Sequence, residues 1–174
     1  TFLYFQQADL TARIFGDDSS ERTRFFANID LAVNTLTLVT QLFVTGRVLK
    51  WAGVGFGLAF LPLVSVVGFG VLAVSPVLAV LVVLQVIRRA GNYAIQRPAR
   101  EVLYTVLPRA DKYKSKNFND TFVYRVGDQI GAWSYTLVGA LGLGFAGLAT
   151  TMVPFSVLWL GLAVWIGMRY GQIQ

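Results

Sequence analysis

Apolar residues in this chain fall into long runs punctuated by short polar or basic stretches, a spacing that predicts helices rather than strands. A helix that crosses a bilayer needs about 20 mostly apolar residues. After an apolar stub at Phe2–Gln7, the pattern predicts such helices over residues 25–46, 51–74, 76–107, 119–147 and 152–168. Asp17-Asp18-Ser19-Ser20-Glu21 precedes the first as an acidic loop rich in helix-capping residues. Charge-free turns are expected at Gly70–Pro76 and Gly147–Pro154. The expected fold class is therefore all-α: a polytopic transmembrane helix bundle, one domain over residues 1–174. The chain opens in an apolar Phe2-Leu3-Tyr4-Phe5 without Met or a signal-peptide pattern, and so reads as a fragment entered in mid-helix.

Basic residues give the bundle an orientation. Arg47 and Lys50 lie between the first and second spans, Arg109, Lys112, Lys114 and Lys116 between the third and fourth, and Arg169 after the fifth. The alternate turns carry no charge, so every basic loop falls on one side, expected to be the cytoplasm, with the C-terminus there too. The Arg109–Lys116 stretch fits two readings: a positive-inside anchor, or a patch for nucleic acid or anionic lipid. The anchor is preferred and no nucleic-acid partner is expected.

The third span carries the most chemistry. Residues 76–87 are nearly all apolar, after which Gln85, Arg88, Arg89, Asn92, Tyr93, Gln96, Arg97, Arg100 and Tyr104 recur on one helical face. Two geometries compete. The membrane helix could end near Ile87 and continue as an interfacial amphipathic helix. Alternatively one long helix reaches Leu107, kinked near Pro98, with its polar face on a water-filled cavity. Residues 76–87 cover only about 18 Å, short of a roughly 30 Å hydrocarbon core, whereas continuing to Leu107 gives about 48 Å. Length favours the cavity geometry, with Arg88, Arg89 and Asn92 near mid-membrane.

Other polar positions form smaller patterns. Asp30, Asn34, Thr37 and Gln41 share one face of the first span, which fits either the lining of a translocation route or helix–helix glue. In the fourth span Thr121, Arg125, Asp128 and Tyr135 share a face. An antiparallel hairpin turning at Pro108–Asn117 would set Arg100 and Glu101 level with Arg125, and Arg97 level with Asp128. Charges at that depth call for partners, so Glu101–Arg125 and Arg97–Asp128 pairs are expected. Gly53/Gly57 and Gly127/Gly131 are spaced for close helix packing.

Composition narrows the function classes. The chain has 55% hydrophobic and 14% charged residues, against roughly a quarter charged in soluble domains. Mean hydropathy is +0.59. With no Cys and no His, thiol nucleophiles, Ser-His-Asp triads, Cys/His zinc sites and His-ligated haem are excluded. No carboxylate pair has metal-ligand spacing. An enzyme is not expected, and no cofactor or metal is called for.

Two stretches resemble a known family. Thr45-Gly46-Arg47-Val-Leu-Lys50-Trp-Ala-Gly53 resembles the loop between paired helices of major facilitator transporters, without the acidic residue of the full motif. Arg97-Pro-Ala-Arg-Glu-Val-Leu-Tyr-Thr-Val-Leu-Pro108, with Lys112-Tyr-Lys-Ser-Lys-Asn-Phe-Asn-Asp-Thr-Phe-Val-Tyr-Arg125-Val-Gly-Asp128, is similar to the bacterial and plastid ATP/ADP translocase family. Phe25-Phe26 and the Gln41-Leu-Phe run are similar to it as well. The resemblance covers essentially the whole chain and implies the C-terminal six-helix half of a major-facilitator-type fold, from the end of helix seven through helix twelve.

The resulting expectation is a secondary active transporter working by alternating access, with a missing N-terminal six-helix half as partner. Its solute would be a small anion, and the resemblance implies nucleotide exchange. Arg88, Arg89, Asn92, Asp30, Asn34 and Gln41 are the expected substrate-binding residues. Arg97, Arg100, Glu101, Arg125 and Asp128 are the expected cytoplasmic-side ion-pair gate. Guanidinium forks suit phosphate and carboxylate oxygens. The expected location is a bacterial inner membrane. The rival reading is a membrane scaffold or signalling subunit whose polar stripes only glue helices, which requires Arg88 and Arg89 to be fully paired with no aqueous cleft.

Overall fold

The computed structural model describes residues 2–16, 18–75, 77–140, 142 and 145–173, and these form helices joined by short turns, without a strand among them. Six rods follow in chain order: α1 Phe2–Phe15, α2 Ser19–Trp51, α3 Gly53–Val74, α4 Leu78–Val106, α5 over residues 109–140, and α6 Phe145–Ile173. Within them α2, α3, α4 and Gly147–Gln172 of α6 are long and apolar enough to cross a membrane. Residues 119–140 are not among these four, because Arg125, Asp128 and Gln129 interrupt the apolar pattern there.

Helix boundaries follow local chemistry. The first span begins at Ser19 rather than residue 25, because Asp18 caps it, accepting from the Ser20 and Glu21 amides at 3.0 and 3.1 Å. Those backbone hydrogen bonds, the Glu21 amide first, hold the exposed Asp18 carboxyl below its ordinary pKa. Asp17 and Pro76, named in the expected loop and third span, lie outside the described residues. The stub at Phe2–Gln7 is part of a full helix, α1.

Two expected boundaries move. The turn expected at Gly147–Pro154 is absent, since α6 runs through it with Pro154 in its interior. The fourth span correspondingly ends at Ala140 rather than Gly147, with Gly142 at φ +72°. Near the two interior prolines, Ser65 and Ser156 donate their hydroxyls back to the Leu61 and Met152 carbonyls of their own helices. The third-to-fourth connection also differs. Residues 109–118, expected as a loop, are helical, and the chain reverses at Leu107–Pro108, where Leu107 is extended ahead of the proline.

The α3–α6 pair is the closest contact in the bundle. A Cβ on Gly167 would stand 2.5 Å from the Gly55 Cα, so the backbones meet where only glycine fits. Gly57 is equally confined, by Ala99 of α4 and Leu49 of α2, whereas Gly127 faces open space. Lys50, Val102 and Tyr170 line one groove, which puts the C-terminal ends of α2, α4 and α6 at the same end of the bundle.

Two π-helical turns face each other across α2 and α4, at Gln41–Thr45 and Asn92–Gln96. Pro98 explains the second. It has no N–H for the Ala94 carbonyl four residues back, and the Arg97 N–H goes to Asn92 rather than Tyr93. Both stranded carbonyls are served from α2: the Thr45 hydroxyl donates to Ala94 at 2.6 Å and the Gln41 amide to Tyr93 at 3.2 Å. The irregularity expected at Pro98 therefore lies one turn earlier, locked by a neighbouring helix.

Candidate functional site

A cleft of about 760 Å³ opens between α1, α2 and α4, with Leu61 of α3, Tyr124 of α5 and Trp159 of α6 completing its walls. Its floor is the polar face of α4. Gln85, Arg88, Arg89, Asn92, Gln96 and Arg100 all line it, since the wider π turn keeps spacings of four on one face. From α2 comes Asp30, and from α1 comes Gln7. Tyr4, Phe26, Tyr124 and Trp159 give it aromatic sides.

Charges in the cleft are unevenly matched. Arg89 Nη1 lies 2.6 Å from Asp30 Oδ1, linking α4 to α2, with both side chains about half exposed. Arg100 meets Asp120 of α5 at 3.6 Å. Among the described residues Arg88 has no carboxylate partner: its guanidinium carbon stands 5.8 Å from the centre of the Phe69 ring, and its buried Nε has no hydrogen-bond partner. Gln85 and Gln96 each hold a buried amide oxygen without a partner, and neither polar atom of the Gln7 amide has one. Gln7 is only 1% exposed. Buried polar atoms are normally hydrogen-bonded, so several orphans around one polar cleft mark a place built to receive polar groups.

Of the expected binding residues, Arg88, Arg89, Asn92 and Asp30 come together here. Asn34 and Gln41 do not. Asn34 is exposed on α2 outside the cleft, and Gln41 donates to the Tyr93 carbonyl of α4, a contact between helices.

The expected gate is rearranged. Because α5 begins at Arg109, it slides along α4 relative to the expected register. Glu101 meets Lys116 at 2.8 Å instead of Arg125, and Arg100 takes Asp120. Arg97 lies over the Tyr93 ring, 4.5 Å from its centre, a cation–π contact rather than the expected pair with Asp128. Arg125 and Asp128 sit on exposed turns of α5 away from the cleft. The hydrogen bond from Lys116 to Glu101 raises the lysine pKa. Asn119 adds a donor to the Tyr104 hydroxyl at 2.9 Å, so the α4–α5 contact combines two ion pairs with a neutral hydrogen bond.

Gln7, Tyr4, Phe26 and Trp159 were invisible to periodicity. Gln7 belongs to a helix too short to read as a span, and Trp159 sits in an unbroken apolar run. Gln85 and Gln96 carried a signal, being on the α4 polar stripe. No family model, curated protein or solved structure matches the chain. What the fold and cleft define is a helical bundle with four helices long and apolar enough to cross a membrane and a cleft lined by arginines.

Proposed function

We propose that the chain is the C-terminal half of a secondary active transporter of the major-facilitator type, which takes a small anionic solute in the cleft on α4. One observation carries this reading: Arg88 lines an open cleft, in a helix apolar enough to cross a membrane, without a carboxylate partner among the described residues. An ionisable group at membrane depth is costly unless it is paired or faces water, and Arg88 is left to be paired by a ligand. Such a cleft is of the size that accommodates metabolite-scale ligands, roughly 300–1,000 Å³. A second six-helix half would close it and rock against this one to give alternating access.

The resemblance to ATP/ADP translocases brings nucleotide exchange forward as one solute class, and four aromatic rings in the cleft support it as base partners. Two of the three guanidiniums are already met by carboxylates, which favours a singly charged solute over a polyphosphate. A bacterial inner membrane with the C-terminus in the cytoplasm fits Lys50 and the α6 C-terminus sharing one end of the bundle. The scaffold reading draws support from Gln41 and Thr45, which do glue helices, but it requires paired arginines and no cleft. The test is uptake by the full-length protein in proteoliposomes. Arg88→Gln is expected to abolish it, and undiminished uptake by that variant refutes the reading.

A further inference from the structure

Resting on the anion-binding reading of the cleft, the geometry points to Asp30 as the residue that sets the charge of the solute. Three guanidiniums reach this cavity, and two are already met by carboxylates, Arg89 by Asp30 at 2.6 Å and Arg100 by Asp120 at 3.6 Å. One positive charge remains, on Arg88. The rest of the polar lining is neutral. Gln7, Gln85 and Gln96 present amide atoms without partners, and Gln7 and Gln85 are more than nine-tenths buried. Amides donate and accept but do not balance a second charge. The preferred solute is therefore a monoanion with a neutral hydrogen-bonding end, its anionic group on Arg88 and its polar end among the glutamines.

Asp30 is the element that excludes a dianion. It holds Arg89 from α2, and its own negative charge faces the cleft, where a second anionic group would have to displace it. The pair joins two different helices and is about half exposed, so it is open to competition from solvent-borne ions. Removing the carboxylate releases Arg89 and gives the cleft two free guanidiniums.

The experiment uses the full-length protein in nanodiscs and calorimetric titration with two matched pairs: terephthalate and its half-amide, adipate and its half-amide. Within a pair, shape is nearly constant and charge differs by one. The wild type is expected to bind each half-amide more tightly than the diacid. Asp30→Asn is expected to shift that preference toward the diacid by about fivefold, the scale of one exposed ion pair. The double variant Asp30→Asn/Arg89→Gln removes the released charge and is expected to restore the half-amide preference, which a merely structural role for Asp30 would not do. If Asp30→Asn leaves the preference unchanged while Arg88→Gln abolishes half-amide binding, the role given to Asp30 is overturned and the anion cleft stands. If none of the four probes binds the wild type, the anion-binding reading is overturned and this inference with it.

Discussion

Replacing Thr45 by valine keeps the shape of a buried side chain and deletes one hydroxyl. That hydroxyl lies 2.6 Å from the Ala94 carbonyl, which Pro98 has deprived of its usual donor. Ala94 is fully buried, so water cannot take over. A buried carbonyl left without a partner costs about 1–3 kcal/mol, and the isosteric change adds little. In a chain of this size each kcal/mol moves the unfolding midpoint by about 2–4 °C. Pro98→Ala supplies an N–H one turn after the stranded carbonyls, so in that background the hydroxyl matters less. The cost of Thr45→Val should fall there to about 0.5 kcal/mol, leaving an interaction energy of about 0.5–2.5 kcal/mol. The assay is a double-mutant cycle by denaturant titration in detergent. Strict additivity, with the same cost in both backgrounds, would refute the account of the facing π turns.

Gly167→Ala should destabilise the α3–α6 contact by about 1–3 kcal/mol, because its methyl meets Gly55 backbone, while Gly127→Ala, in open space, should be tolerated; thermal unfolding of the two variants compares them. Lys116 has a raised folded pKa, so its contribution to the α4–α5 seam is present at lower pH and lost as pH rises through that raised value; Glu101→Gln should lower the Lys116 pKa, read by NMR titration of its Nζ. Asp18 has a depressed folded pKa, so its capping is present above the unfolded value and lost as pH falls through the folded one; protection of the Ser20 and Glu21 amides, taken against the intrinsic exchange rate at each pH, should fall in that acid range and be low throughout in Asp18→Ala.

The long apolar helices were legible because a membrane-crossing helix needs a long apolar run, and α2, α3, α4 and α6 all carry one. The polar face of α4 was legible for the same reason in reverse: in an apolar helix, Arg88, Arg89 and Asn92 stand out by spacing alone. Pairings were not legible. Which carboxylate meets which cation depends on where α5 starts, and Pro108 moved that start by about ten residues from the expected loop. Pro154 misled, since a turn was expected there and it lies within α6, whereas Pro62 lies inside α3 and Pro108 follows the end of α4. Only the surroundings separate these cases: an extended Leu107 ahead of Pro108, and packed neighbours around the others. The α2 stripe divided between roles because Asp30 happens to face α4 at Arg89, whereas Gln41 faces the carbonyls around the π turn.

The central claim is that Arg88 is a free cationic anchor awaiting an anion. Thermal unfolding of the full-length protein, screened against nucleotides, inorganic phosphate and organic acids alongside Arg88→Gln, tests it most directly, because a true ligand stabilises by mass action. The account predicts at least one anion that raises the wild-type midpoint in a saturable way and leaves Arg88→Gln unmoved. Equal shifts in both proteins, or no shift with any anion, would contradict it.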